Sequence, residues 1–463
     1  MDKFFKISER GSNVKTEIVA GLTTFFAMAY IVVVNPNQIT GFTPGLDAIW
    51  NAVYIASILV AVIGTGLYAI YAKLPYAQAC GMGLNSFFFV SFILPQIING
   101  GNPVEGYQAG LVIILISGLI FLALSLTGAR VYIAKALPEC IKKAIPAGIG
   151  LFIAFIGFQN VGIIQANEYT LVQFVKLYEV SWADVAPAVI ALIGFIIIAI
   201  LAALKVKGAV LLGILATTVI YYLATWTLPS FDLGAVGQSF KDFAEIGIVG
   251  VFKPESWKNA FSAEFVGGIF SAVMLIITYC LVDMFDTIGT LYGCASEADM
   301  LDENGDPIDV EKAMNCDSIA TAAGAVLGTS TCTTFVESAA GVAAGGKSGL
   351  TSLVTTICFA LCLFLAPVAG IIPSAATAPA LIYVGVLMLK NFSKVDMTDM
   401  RSAVPAFLAL VMMPLTYSIS NGIGLAAIAY SLITIFTGKF TKKDIAVTVI
   451  ALLFVAKFVF GAL

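Results

Sequence analysis

Long apolar blocks, one after another, constrain this chain more than anything else in it. From Val14 onward, stretches of about 18–22 residues nearly free of charge repeat to the C-terminus. Each is long enough as a helix to cross a hydrocarbon layer of ~30 Å. Charged residues make up only 11% of the 463, against about a quarter in a soluble protein. The blocks leave no room for a separate soluble domain. An all-α integral membrane protein is expected.

Charge and cysteine content narrow the function further. The net charge of −4 is small and dispersed, so nucleic acid is not an expected partner; the lipid bilayer is. The eight cysteines lie mostly inside apolar blocks, without CxxC spacing, and the chain has no histidine. They read as small buried hydrophobes, and neither a metal site nor a cofactor is expected. Without histidine, any proton chemistry falls to carboxylates. Lys3, Lys6, Arg10 and Lys15 ahead of an apolar run, with Ala27-Met28-Ala29, imitate a secretory signal. The run continues to Val34 and further spans follow, so an uncleaved first membrane helix is expected.

Spans are placed near 17–36, 50–72, 77–97, 107–127, 146–164, 183–204, 208–228, 262–294, 315–328, 331–345, 349–370, 376–393, 404–419 and 421–437. That makes about fourteen segments. With the N-terminus inside, every Lys and Arg falls on the inside except Lys176, Lys241, Lys253 and Lys258, with Lys457 left in a last apolar stretch, 444–462. This is the asymmetry of the positive-inside rule. A multi-pass cell-membrane protein with both termini cytoplasmic is expected, unless the last stretch crosses.

The two halves resemble each other in order. Cys80-Gly-Met-Gly-Leu-Asn85-Ser86 matches Cys332-Thr-Thr-Phe-Val-Glu337-Ser338, and Pro187-Ala-Val-Ile-Ala-Leu192 matches Pro405-Ala-Phe-Leu-Ala-Leu410. An odd number of spans per half turns the second half upside down. Such inverted repeats are the plan of many secondary transporters, with substrate near the midplane between discontinuous helices. The matching segments read as broken helices: Pro75 to Gly83 and Gly328 to Thr334 are rich in Pro, Gly and hydroxyl residues, and helical patterns follow each. Irregular backbone at membrane depth is tolerated where protein or a cavity surrounds it. The free N–H groups of the helices that follow would point at whatever binds between them.

Carboxylates within spans are few: Asp283, Asp286 and Glu337. A charge at mid-membrane costs ~2.5–3.5 kcal/mol on insertion scales and marks a substrate or proton path. Asp283 and Asp286, three apart, share a helix face. Glu264 and Asp317 lie near span ends and are expected at the interface. Gly341-Val-Ala-Ala-Gly-Gly346-Lys347-Ser348 fits the phosphate-cradling P-loop pattern. It closes a membrane helix instead of following a strand, so nucleotide binding is not expected. The acidic stretch from Ser296 to Glu311 lacks full calcium-loop spacing and reads as a solvated connection. The outside segment from Pro229 to Ala260 has no assigned function.

Four motifs in order carry a family resemblance over essentially the whole chain: Gly21-Leu-Thr-Thr-Phe-Phe-Ala-Met-Ala-Tyr30 with Asn35-Pro36, Gly81-Met-Gly-Leu-Asn85, Asp283-Met-Phe-Asp286-Thr-Ile-Gly289 and Thr333-Thr-Phe-Val-Glu337-Ser-Ala-Ala-Gly341. They resemble the nucleobase–cation symporters, in their adenine/guanine/hypoxanthine permease branch. The resemblance implies two inverted seven-span repeats with discontinuous spans 3 and 10. It implies a core domain of spans 1–4 (residues 1–145) and 8–11 (261–372), and a gate domain of spans 5–7 (146–260) and 12–14 (373–443). Residues 444–463 are left without a place. It further implies that Asp286 binds the base, that Glu337 contacts it and couples protons, and that Asn85 is the polar residue of span 3. Asp283 and Asp286 are further candidates for proton coupling. The uracil and xanthine branches have Glu where Asp286 stands, and the shorter acid leaves room for a purine.

A purine is a flat ring edged with donors and acceptors, suited to an aromatic slot with a few convergent polar groups. Phe25, Phe26, Tyr30, Phe285 and Phe335 lie beside the polar candidates. Guanine offers N1–H and N2–H to a carboxylate, whereas adenine needs an amide or a protonated acid. Proton symport of guanine or hypoxanthine is therefore expected ahead of adenine, and a homodimer is compatible with the chain. An anion exchanger or channel on the same fold would want cations at the half-helix ends. A membrane enzyme would want a nucleophile or metal, so the chain is not read as an enzyme.

Overall fold

The computed structural model describes residues 2–127, 138–167, 169–177, 181–229, 234–297, 300–303 and 307–460. Arg130 and Lys135, counted on the inside above, lie outside them, as do residues 298–299 and 304–306 of the acidic stretch and 230–233 of the outside segment. The chain is mostly helical. Among the described residues, eight helical stretches are long and apolar enough to cross a membrane: Val14–Ile39, Asp47–Ala72, Pro103–Leu126, Glu139–Asn160, Trp182–Ala203, Gly268–Ile288, Ser374–Lys394 and Ile419–Phe436. Met82–Ile98, Ala209–Thr225, Gly349–Phe364 and Met400–Leu415 are apolar but shorter.

The helices used below are numbered in chain order. They are α1 (Val14–Met28), α2 (Ile31–Ile39), α3 (Asp47–Leu67), α4 (Met82–Phe88), α5 (Pro103–Leu126) and α6 (Glu139–Asn160). Then come α7 (Trp182–Ala203), α8 (Ala209–Thr225), α9 (Gly268–Glu297), α10 (Val310–Leu327), α11 (Ser338–Ala343) and α12 (Gly349–Leu361). The last four are α13 (Ser374–Leu389), α14 (Met400–Leu415), α15 (Ile419–Phe436) and α16 (Ile445–Phe460).

One group packs α6 against α13 and α14, with α7 and α8 flanking α13. Where α6 meets α13 the backbones nearly touch, because a β-carbon on Gly385 would stand 2.5 Å from the Gly150 carbonyl oxygen. Small residues at helix crossings allow this approach in lipid, where dispersion does the work that water-driven burial does elsewhere. The other group is built around α3, α5, α9, α10 and α12.

At its centre lies a short two-stranded ribbon. β1 (Gln78–Cys80) pairs antiparallel with a second strand, Cys332–Thr334, in the register Gln78↔Thr334, Ala79↔Thr333 and Cys80↔Cys332. Gly81 N donates to Thr331 O, and Phe335 N to Ala77 O, at 2.9 and 3.0 Å, extending the pairing at both ends. The two cysteines that align the sequence halves are thus direct partners, and both are free thiols. From the ribbon the chain enters α4 on one side and α11 on the other. A separate hairpin, Ile164–Asn167 with Leu171–Phe174, follows α6 and is mostly exposed.

The P-loop-like segment has a structural role. Glu17 of α1 is fully buried. Its carboxylate accepts from Lys347 N (3.0 Å), Ser348 N (3.2 Å) and Thr351 Oγ1 (2.6 Å). Backbone N–H groups that could hold a phosphate hold a side chain of the same protein. Arg10 Nη1 adds bonds to the carbonyls of Lys73 (2.7 Å) and Lys347 (2.9 Å), tying the N-terminal segment to the same corner.

Glu17→Ala leaves two backbone donors and a hydroxyl without an acceptor, each unsatisfied buried group costing about 1–3 kcal/mol. A lower melting temperature in detergent is predicted for Glu17→Ala. Lys347→Ala should melt like the parent, since Lys347 contributes its backbone here. ATP hydrolysis by the parent that disappears in Lys347→Ala would show that the loop serves a nucleotide instead.

Candidate substrate site

The predicted polar residues converge around the ribbon. Tyr30 stands at the break between α1 and α2, only 1% exposed, and its hydroxyl donates to Glu337 Oε1 at 2.5 Å. Glu337 immediately precedes α11 and is half-buried. Asp286 of α9 is also half-buried and lies within electrostatic reach of Glu337. Asn85 of α4 is completely buried. Its amide donates to Gln38 Oε1 at 3.3 Å and its carbonyl accepts a short hydrogen bond from Ser330 Oγ. Gln38 of α2 in turn donates to Met82 O (3.1 Å) and Ser86 Oγ (3.2 Å), clamping the start of α4. Two polar sets therefore flank the ribbon: Asn85, Gln38 and Ser330 at its Gly81–Thr331 end, and Glu337 with Tyr30 and Asp286 at its Ala77–Phe335 end.

Asp283 lies deeper. It is 1% exposed, and its Oδ2 accepts from Thr321 Oγ1 at 2.7 Å. Its Oδ1 has no hydrogen-bond partner among the described residues. Thr321 also bonds both backbone groups of Cys332, at 3.0 Å each, so Asp283 is linked to the ribbon through one hydroxyl.

Asp317 corrects the sequence reading. It was expected near a span end at the interface, but its side chain is completely buried beside the ribbon. Gln78 Nε2 donates to its Oδ1 at 2.9 Å and Thr287 Oγ1 to its Oδ2 at 2.7 Å. Thr287 also lies 2.7 Å from Thr333 Oγ1. Its neighbours, Cys316 and Ser318, gave no sign of this depth. The one available signal was that Asp317 follows a helix start at Val310 by two turns, far enough to enter the bundle. Glu264 is exposed, as expected.

The aromatic candidates divide. Phe335 is buried beside Glu337, and Phe25 packs edge-on to Phe359 with centroids 5.4 Å apart. Phe26, next to Phe25 but about 100° further round the helix, is 49% exposed and does not join the centre. The side chain of Phe285 lies outside the described residues. Tyr383 of α13, which sequence reasoning passed over, lies within electrostatic reach of both Glu337 and Tyr30. It carries the second helical group up to the site.

A helical membrane protein whose two halves meet at a central ribbon, with carboxylates and amides gathered around it, belongs to the class of two-repeat transporters. A model of the Permease family matches residues 15–425. The guanine/hypoxanthine permease PbuG of Bacillus subtilis is 39% identical over 470 residues, covering 99% of this chain and 100% of its own. The adenine permease AdeP of Escherichia coli is 37% identical over 460 residues, covering 99% and 96%. The chain belongs to this family of nucleobase permeases, whose members are transporters and not enzymes. Among solved structures, the transmembrane domain of a cyanobacterial bicarbonate transporter, BicA, aligns with a TM-score of 0.62 at 14% identity, covering 88% of this chain and 97% of that one. Murine Slc26a9, an anion transporter, aligns with a TM-score of 0.62 at 12% identity over 92% of this chain and 69% of its own. These two establish the fold alone.

Asn85→Ala removes the acceptor of Ser330 and the donor to Gln38 at a desolvated site, a loss of about 1–3 kcal/mol. If Asn85 meets the substrate, a raised apparent KM is predicted, to different extents for adenine and guanine, because an amide does not titrate. Parent-like kinetics for both bases would place Asn85 outside the site.

Proposed function

We propose that this protein imports purine bases with protons by alternating access, with guanine and hypoxanthine preferred. In this reading a core of residues 1–145 and 261–372 carries the site. A gate of residues 146–260 and 373–443 closes over it, with the N-terminus cytoplasmic and the protein in the cell membrane.

The observation that carries the reading is the pair of carboxylates at the ribbon. Glu337 is held by the Tyr30 hydroxyl, and Asp286 lies within electrostatic reach of it. An ionised Asp286 can accept the N1–H and N2–H of guanine as a pair, each charge-assisted bond being stronger than a neutral one. Glu337 contacts the base and carries the transported proton, and Asn85 meets the remaining polar edge. Asp283, with one oxygen unpartnered, stands next in line as proton carrier. Phe25, Tyr30 and Phe335 supply the apolar slot. The names of the relatives, guanine/hypoxanthine and adenine permeases, support a purine. An adenine preference is the second reading, since AdeP is nearly as similar as PbuG. An anion exchanger on this fold fits less well, because Asp283, Asp286, Asp317 and Glu337 make the centre acidic.

Labelled guanine uptake into proteoliposomes under an acid-outside gradient tests the whole reading. Accumulation that a proton ionophore abolishes is predicted. Equal uptake with and without the gradient would overturn the coupling, and no purine uptake at all would overturn the substrate. Asp286→Asn keeps the shape and removes the charge, so binding should be lost or severely weakened. Glu337→Gln can present an oxygen to the base but cannot carry a proton. It should retain binding and exchange between equal pools while losing gradient-driven accumulation. If Glu337→Gln still concentrates guanine on a proton gradient alone, the coupling role passes to Asp283.

A further inference from the structure

The apolar stretch after residue 443 has no place in a seven-plus-seven plan, yet the structure gives it a definite one. α16 runs antiparallel to α15. At its start the Tyr430 hydroxyl donates to Asp444 Oδ1 at 2.9 Å. At its middle Phe454 lies on Gly424, where a β-carbon would come within 2.4 Å of the ring. Near its end Lys457 Nζ donates to Ser420 Oγ at 2.8 Å. As one helix advances the other retreats, so α16 ends at the level where α15 begins.

α15 is itself one of the helices long and apolar enough to cross a membrane. The 16 residues of α16 span about 24 Å at 1.5 Å per residue. Val447, Ala451 and Phe454 form its buried stripe, while Ile445, Val449, Leu452, Val455 and Val459 are exposed. A helix apolar all round belongs in hydrocarbon and not in water.

Lys457 is the exception to that apolar surface, and its surroundings explain it. Lys457 lines a cavity of about 340 Å³ together with Ser91, Glu264, Tyr417 and Ser418. A charge at membrane depth is kept where it meets polar partners or a cavity. Its acceptor, Ser420, is also 3.2 Å from Thr278 Oγ1 of α9. Lys457, Ser420 and Thr278 therefore join α16, α15 and α9 in one polar bridge. In the division proposed above, α15 belongs to the gate and α9 to the core.

We propose that α16 is an additional membrane crossing that holds Lys457 at the seam between core and gate, where the Lys457–Ser420–Thr278 bridge fastens the two until the transport cycle breaks it. The crossing stands on packing alone; the fastening rests on the alternating-access reading. The C-terminus then lies on the opposite side of the membrane from the N-terminus.

Two measurements test this in the full chain. A cysteine appended after Leu463 and, separately, one placed ahead of Asp2 are challenged with a membrane-impermeant maleimide in intact and permeabilised cells. Labelling of the two ends from opposite sides is expected. Labelling of both from the same side overturns the crossing, whether or not the protein transports anything. Lys457→Met and Thr278→Val are then compared with the parent for initial guanine uptake and equilibrium guanine binding. A severalfold change in rate with unchanged Kd is expected, with the double variant no more affected than the stronger single one. Ser420→Ala, which removes the shared oxygen and leaves the apolar seat of α16 intact, replaces Lys457→Met if the latter fails to insert. Parent-like rates, or a Kd that moves with the rate, overturn the fastening. Absence of purine uptake in the parent would instead overturn the substrate reading and leave the labelling result to decide the crossing.

Discussion

An unpaired backbone group in hydrocarbon costs several kcal/mol, and the centre of this protein is arranged around meeting that demand where the helices are interrupted. The ribbon of residues 77–81 and 331–335 satisfies its inner edges by strand pairing. Its outer edges are closed by hydroxyls. Thr65 bonds both backbone groups of Gln78 at 3.0 Å, and Thr321 does the same for Cys332. Thr287 serves Thr334 N at 3.4 Å. Three threonines on three helices thus allow two strands to exist inside a helical bundle. The ribbon aims α4 and α11 and so fixes where Asn85 and Glu337 stand.

The carboxylates follow from the same arrangement. Asp317 and Asp283 are buried next to the ribbon, and each bonds a threonine that also bonds a ribbon residue. Asp286 and Glu337 are half-buried. The deeper acids thus brace the strands, while the proposed function gives the shallower ones to the ligand. Glu17 makes a useful contrast. It is equally buried, but two backbone N–H groups and a hydroxyl saturate it, which suits a fixed structural anion and not a carrier of protons.

Much of this could be read from residues alone, for a clear reason. An acid in a long apolar run is conspicuous, and so Asp283, Asp286 and Glu337 stood out. The Cys80 and Cys332 segments matched because the two strands of one ribbon face the same packing problem. What escaped notice was chemistry that costs little in a membrane helix. Thr65, Thr287 and Thr321 can bond their own helix backbone, so nothing in their sequence context signals that they close a ribbon. Gln38 follows Asn35-Pro36-Asn37 at the end of α2, where a polar run reads as an ordinary helix end. Asp317 was misplaced because an acid near a span end is usually solvated, and only the path of α10 carries it inward. Phe26 was misassigned for the opposite reason: nearness in sequence to Phe25 and Tyr30 does not put it on their face of the helix.

The central claim is that a purine base sits against the ribbon, edge-on to Asp286 and Glu337. A cryo-EM map of the purified protein with guanine addresses it most directly. Flat density between α4 and α11, within hydrogen-bonding distance of both carboxylates and reached by Asn85, is the predicted result. Guanine density elsewhere, as in the cavity lined by Glu264 and Lys457, with the space before Asp286 and Glu337 empty, would contradict it.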